Sequence, residues 1–282
     1  MPAAATESPM PGLSEKTIFI TGATRGIGRE IALRCARDGA RIVITGKTAT
    51  PHEKLPGTLH SVAAEVVQAG GQALPIQLDV RDADALHAAV EQAAQHFGGI
   101  DILVNNTSAI SLTPTLETPA KRLDLMWAVN ARATFLAAQA CLPHLKRAAN
   151  PHILTMSPPL NLNADWFAPH LGYSISKYGM SMCTLGLARE FAGDGVAVNS
   201  LWPRTTIATA AIEFNFPPEL LRASRKPAIV ADAAYCILSR DSRSCTGNFF
   251  IDEDILSESG VKDFSHYAVT PGTPLYRDLF LD

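Results

Sequence analysis

Tyr173 and Lys177 stand four residues apart in the stretch Tyr173-Ser174-Ile175-Ser176-Lys177. On a helix that spacing puts both side chains on one face. An ammonium there favours the phenolate and can hold a sugar hydroxyl, so the pair can move a proton to or from a substrate oxygen. Roughly 150 residues upstream, Thr21-Gly22-Ala23-Thr24-Arg25-Gly26-Ile27-Gly28 follows the apolar run Thr17-Ile18-Phe19-Ile20. A glycine-rich turn from strand into helix can take a pyrophosphate: glycine lets the backbone approach, and the helix N-terminus faces the anion. A lone tyrosine–lysine pair is more often a packed ring and a solvated charge. The pair and the turn together, in this order, point to a nucleotide-dependent oxidoreductase.

These groups need a scaffold. Seven apolar runs read as strands, over 17–20, 41–45, 73–78, 100–104, 152–156, 196–201 and 248–251. Helical stretches separate them. The clearest carries a stripe of Leu86, Val90, Ala93 and Phe97 at helical spacing. Such alternation predicts βαβ units and a parallel sheet covered on both faces, an α/β doubly wound fold. Two long helices are expected over about 118–147 and 172–190. The first twelve residues, MPAAATESPMPG, read as a flexible arm, and 13–282 as one domain. Two segments break the rhythm, 49–56 and 204–227. Both start at carboxyl ends of strands, where ligands of parallel sheets sit, so both are candidate ligand contacts.

Composition narrows the function. The chain of 282 residues is 47% hydrophobic and 7% aromatic, with a formal net charge of −3. That charge gives no case for nucleic acid or an anionic membrane. No apolar run approaches the ~20 residues of a membrane span. Neither a secretory leader nor a transit peptide is evident at the start. Five scattered cysteines, Cys35, Cys141, Cys183, Cys236 and Cys245, argue for a reducing compartment, and a cytoplasmic location is expected. Eight scattered histidines show no pair at ligand spacing, so no metal site is expected.

The cofactor side is readable in more detail. NAD-preferring enzymes usually place a carboxylate at the end of the second strand. Here that strand ends Ile44-Thr45-Gly46-Lys47-Thr48, without one. Lys47 and Arg25 are both cationic and suit a 2′-phosphate, which points to NADP, with NAD as the alternative. Asp79-Val80 follows the third strand. Its carboxylate could accept from an adenine amino group, or simply form a turn. Asn105-Asn106 follows the fourth strand and can tie neighbouring strand ends together under the cofactor.

The ordered motifs TGATRGIG, LDV, VNN, Asn130, YSISK and VNSLWP resemble the short-chain dehydrogenase/reductase family, over about residues 16–252. The resemblance implies a Rossmann-type domain, a nicotinamide cofactor and hydride transfer at a carbon bearing oxygen. It assigns Tyr173 as general acid/base and Lys177 to the nicotinamide ribose and to lowering the tyrosine pKa. Asn130 would hold a water in a proton relay reaching Lys177. The cofactor would lie along Gly22, Thr24, Arg25, Gly26, Ile27, Gly28, Lys47, Asp79, Val80, Asn106, Tyr173, Lys177 and Pro203. One departure stands out. The family uses a serine after the fifth strand, and strand alignment puts Pro158 in its place. A shifted loop could deliver Ser157, which is the expected catalytic hydroxyl; otherwise Asn161, Asn163 or a water must act.

The expected substrate is a lipophilic carbonyl compound or secondary alcohol, because the apolar 204–227 segment and the Trp166-Phe167 pair suit an apolar pocket. The alternative for these aromatics is a subunit contact. A second reading, a catalytically weak sensor or scaffold, follows from the missing serine. An epimerase or dehydratase is disfavoured by the lack of length for a second domain. The resemblance also implies a homodimer or homotetramer.

Overall fold

The short strands are rich in isoleucine and valine, and alternate residues leave opposite faces of one sheet. They are β1 (Thr17–Ile20), β2 (Arg41–Gly46), β3 (Gln72–Gln77), β4 (Ile102–Asn105), β5 (His152–Thr155), β6 (Ala197–Trp202) and β7 (Phe249–Ile251). In this computed structural model, which describes residues 12–51 and 56–282, every pairing is parallel and the order is β3-β2-β1-β4-β5-β6-β7. The expected α/β doubly wound architecture is therefore present. Each strand lies within two residues of its expected position. The expected arm over 1–12 falls, but for Gly12, outside the described residues, and so does the middle of the 49–56 segment.

The helices are α1 (Gly26–Ala36), α2 (Leu59–Gln68), α3 (Ala83–Phe97), α4 (Ala120–Met126), α5 (Ala133–Leu145), α6 (Leu171–Glu190), α7 (Ala210–Asn215), α8 (Pro218–Arg222), α9 (Ala228–Leu238) and α10 (Asp252–Glu258). Ile18, Ile20, Ile42, Ile44 and Val104 face a core shared with α1, α2 and α9. Phe19, Val43, Leu103 and Ile153 face the other core, shared with α3 and α5. Ends are set locally. Thr58 and Ser61 form a reciprocal capping box at the start of α2, Asp82 caps α3, and Gly98 closes α3 at φ 85°.

The chain runs β1-β2-β3 to one side and returns to place β4 on the other side of β1. A crevice opens at such a switch point, beyond the carboxyl ends of β1 and β4. The long helix expected over about 118–147 is present as one continuous run of α4, a π-helical segment Trp127–Arg132, and α5. The wider turn sits where α6 crosses closely: a Cβ on Gly179 would lie 2.6 Å from the Ala131 Cβ. Single π turns of this kind are common at functional sites.

After α10 the chain returns across the same crevice. Tyr276 accepts from the Thr206 N–H and donates to the Ala223 carbonyl, at 3.0 and 2.9 Å. Asp278 donates to the Arg204 carbonyl at 3.0 Å. Trp202 donates from Nε1 to the Leu279 carbonyl at 2.9 Å. Phe280 is fully buried despite a φ of 70°, a conformation that L-residues adopt only when their surroundings impose it.

Candidate active site

The glycine turn at the end of β1 is held by hydrogen bonds from the end of β4. Thr21 Oγ1 accepts from the N–H groups of Asn106 and Thr107 at 3.0 and 3.1 Å. Asn106 Nδ2 donates to the carbonyls of Thr21 and Gly22, both at 3.0 Å. Asn106 thus ties two strand ends together, as expected. Gly22 has φ 69°, and a Cβ on Gly28 would lie 2.4 Å from Asn106 Nδ2 and 2.6 Å from the Gly22 carbonyl. Only glycine fits, so the backbone stays open to an approaching group. Helix α1 starts at Gly26 with no acidic side chain in its first turn. This cradle fits a pyrophosphate on a helix N-terminus. Thr24 is buried in the turn, and Ile27 lines the cavity beside it.

At the ends of β2 and β3 the two expected cations lie in different settings. Arg25 donates from Nη2 to Thr48 Oγ1 at 2.8 Å and from Nε to the Pro56 carbonyl at 3.3 Å. Lys47 Nζ lies 3.3 Å from the Asp79 carboxylate, which Arg81 grips from Nε at 2.9 Å and Nη2 at 2.6 Å. Arg81, then Lys47, hold the Asp79 carboxyl well below the usual carboxylate range. Both Asp79 oxygens accept from Arg81, and Asp79 also makes the turn given as its alternative role, through the Arg81 and Asp82 N–H groups. Val80 is buried behind it.

Tyr173 and Lys177 occupy the first turns of α6 and open together on a cavity of about 650 Å³. Asn106, Ile27 and Pro203 line it from the sheet ends. Much of the far wall comes from the 204–227 segment, including Ile207, Ile212, Phe216 and Leu220, as expected of that segment. Trp166 and Phe167 do not line this cavity. They pack with Tyr173, Tyr178 and Phe280, and Trp166 donates to Asp282 at 3.2 Å.

Burial sets the electrostatics. Lys177 donates from Nζ to the Met156 carbonyl at 2.6 Å and sits 4.9 Å above the Trp202 ring. Burial pulls its pKa down to about 7, against the opposing pull of Asp278. Burial, then the charge of Asp278, holds the Tyr173 phenol well above its ordinary range. Desolvation favours the neutral phenol in this buried position.

Asn130 comes from the π segment. Its side chain accepts from the Ala109 N–H at 2.7 Å, and donates to the Ala109 carbonyl and to Ser176 Oγ, both at 2.9 Å. It locks the loop after β4 onto α6, one residue from Lys177. Its backbone carbonyl accepts from Thr134 Oγ1 at 2.7 Å and from the Ala133 N–H.

Ser157 is placed elsewhere, and this corrects the expected catalytic hydroxyl. It is fully buried, shares a 2.8 Å hydrogen bond with Ser200, and Ser200 donates to Thr184. Beyond β5 its side chain points at β6 and α6, so it does not line the cavity. Asn161 and Asn163 do not line it either. Asn161 donates to Asp282, and Asn163 caps the short turn at Asp165. Sequence reasoning missed Asp278, which lines the cavity with Tyr173 and Lys177. The mixed polar and aromatic run Tyr276-Arg277-Asp278-Leu279-Phe280 was its only signal.

The geometry has counterparts. Residues 16–216 match the family model described as short chain dehydrogenase. Hydroxysteroid dehydrogenase-like protein 2 of Danio rerio is 58% identical over 94% of this chain, and that of Homo sapiens is also 58% identical over 94%. The chain spans 64% and 63% of those proteins, respectively. A crystal structure of a Xanthomonas campestris protein superposes with TM-score 0.93 at 55% identity, covering 96% of this chain and 99% of that one. A short chain dehydrogenase from Mycobacterium thermoresistibile superposes with TM-score 0.91 at 50% identity, covering 96% of each.

Proposed function

The chain belongs to the short chain dehydrogenase family of oxidoreductases, and on that premise we propose that it transfers a hydride between NADP(H) and a carbonyl or secondary alcohol of a lipophilic molecule. The observation that carries this reading is the shared opening of Tyr173 and Lys177 on a largely apolar cavity beside the Gly22–Gly28 turn. The cofactor, when bound, supplies or accepts the hydride. The residues present fit it: the glycine cradle takes the pyrophosphate, and Arg25 and Lys47 take a 2′-phosphate.

Tyr173 holds the mobile proton. Its hydroxyl donates to the substrate oxygen during reduction and accepts during oxidation. Lys177 holds the ribose of the nicotinamide and its charge draws the phenol down when a ribose hydroxyl rather than bulk water completes its shell. Asn130 keeps the loop and α6 in register. The apolar wall from 204–227 excludes water and selects a lipophilic substrate.

Homo-oligomer assembly is part of the proposal. Trp127, Phe135, Ile175, Met182 and Leu185 are large apolar side chains left exposed on the π segment, α5 and α6. Large apolar side chains gathered on neighbouring helical elements suit a protein interface. A cytoplasmic setting is supported by five cysteines that are all free. Among the described residues no helix is long and apolar enough to cross a membrane.

The burial of Ser157 favours a second reading, a weakly catalytic NADP-binding sensor or scaffold. A screen of ketones, alcohols and acyl-CoA derivatives, followed by nicotinamide absorbance, separates the two. Turnover of an apolar ketone supports the enzyme; tight NADPH binding with no turnover supports the sensor.

A further inference from the structure

The substrate oxygen in such a site needs a second hydrogen-bond donor beside the Tyr173 hydroxyl, to stabilise the charge that develops there. No hydroxyl at the end of β5 reaches the cavity: Ser157 is tied to Ser200, and Thr155 is buried in the strand. The cavity wall nevertheless carries a carboxyl. Asp278 lines it together with Tyr173 and Lys177.

Its placement is built rather than incidental. The Asp278 N–H donates to the Arg204 carbonyl, and Oδ1 accepts from the Leu279 N–H at 2.7 Å. Leu279 is fixed by Trp202, the ring over which Lys177 sits. Phe280 stacks on the Tyr173 ring, with centroids 6.2 Å apart and planes 29° apart. The segment 276–282 thus grips both the catalytic tyrosine and the wall beside the catalytic lysine.

We propose that Asp278 is a catalytic residue that, in its protonated form, donates from Oδ2 to the substrate carbonyl oxygen beside Tyr173, in place of a serine hydroxyl. The assignment rests on the active-site reading above. Oδ1 is already engaged by Leu279, which leaves Oδ2 for the cavity. During reduction only the Tyr173 proton is transferred; the Asp278 proton stays on its carboxyl as a hydrogen bond. The surroundings favour that protonated form. Burial, then the charge of Asp252 at the start of α10, push Asp278 up to about 7 against the Leu279 N–H bond and, less strongly, Lys177. Arg277, its neighbour in the chain, also lines the cavity. The Arg204 guanidinium pairs with Glu253 and Asp254, and Glu219 enters the cavity wall from α8. A carboxylic acid kept neutral in an apolar site is a strong donor at neutral pH.

The test compares Asp278→Ala, Asp278→Asn and Tyr173→Phe, using phenanthrenequinone and NADPH as the probe pair. Asp278→Ala should lower kcat by about 10²–10³ with NADPH affinity unchanged. Asp278→Asn keeps a donor, so it should retain most of kcat. It should also lose the fall in reduction rate that the wild type shows as pH rises through about 7. Wild-type kcat in Asp278→Ala overturns the proposal. So does an Asp278→Asn as impaired as the alanine variant, which would assign the carboxylate charge to Lys177 instead. An active Tyr173→Phe sinks the underlying site reading; an inactive one beside a fully active Asp278→Ala sinks only Asp278. A substrate-independent measurement stands beside these. Asp278 unfolded titrates near pKa ~3.9, so the folded chain binds the extra proton between about pH 4 and 7. Wild-type thermal stability should fall across that window relative to Asp278→Asn. Parallel stability curves would show an ionised carboxylate, unable to donate, and would overturn the proposal even without turnover.

Discussion

The Lys177 ammonium nitrogen lies 2.6 Å from the Met156 carbonyl oxygen, at the end of β5 and over the Trp202 ring. A backbone carbonyl and a ring face solvate this buried group only in part, and burial pulls it down to about 7. The unfolded lysine titrates near pKa ~10.4. Between these values the unfolded chain binds more protons, so stability contributed at this position rises with pH from about 7 to about 10. Lys177→Met should abolish that rise. Thermal midpoints of wild type and variant across pH 6 to 10 check it. A difference that stays flat with pH would mean the lysine is charged throughout.

The 2′-phosphate assignment rests on Arg25 at the turn and Lys47 at the end of β2. Removing both side chains as alanine should weaken NADP far more than NAD. Loss of a charge-assisted contact costs about 1.5–3 kcal/mol. Lys47 also pairs with Asp79, so Arg25→Ala alone should carry the larger share. Equal losses for both cofactors in fluorescence titration would show that neither side chain reads the phosphate.

Ser157→Ala should leave kcat within about twofold, because its hydroxyl bonds Ser200 and not the cavity. Its effect should appear in stability, at about 0.5–1.5 kcal/mol for a buried hydrogen bond. Denaturant unfolding beside a turnover assay separates the two. A large fall in kcat with unchanged stability would put Ser157 back at the substrate.

The scaffold was legible in the sequence because its signals are local. Apolar runs such as Ile42-Val43-Ile44 alternate with helical stripes, and Gly22, Gly26 and Gly28 fix the turn between β1 and α1. Tyr173 and Lys177 were legible because helical spacing places both on one face. What escaped depends on contacts between segments far apart in the chain. The direction of the Ser157 side chain depends on Ser200, 43 residues on. The commitment of Asp79 depends on Arg81 and Lys47, and the π turn on Gly179 crossing Ala131. Asp278 reaches the site through Arg204 and Trp202, bonds to a loop and a strand that no periodicity in 276–282 announces.

The central claim is that Tyr173 moves the proton at the substrate oxygen, and Tyr173→Phe tests it by deleting one hydroxyl from a ring that Phe280 keeps in place. The measurement is NADPH-dependent reduction of an apolar ketone by wild type and variant, with NADPH affinity read on the same samples. The account predicts unchanged affinity and a fall in turnover of about 10²–10⁴-fold. Turnover at the wild-type rate with intact NADPH binding would contradict it.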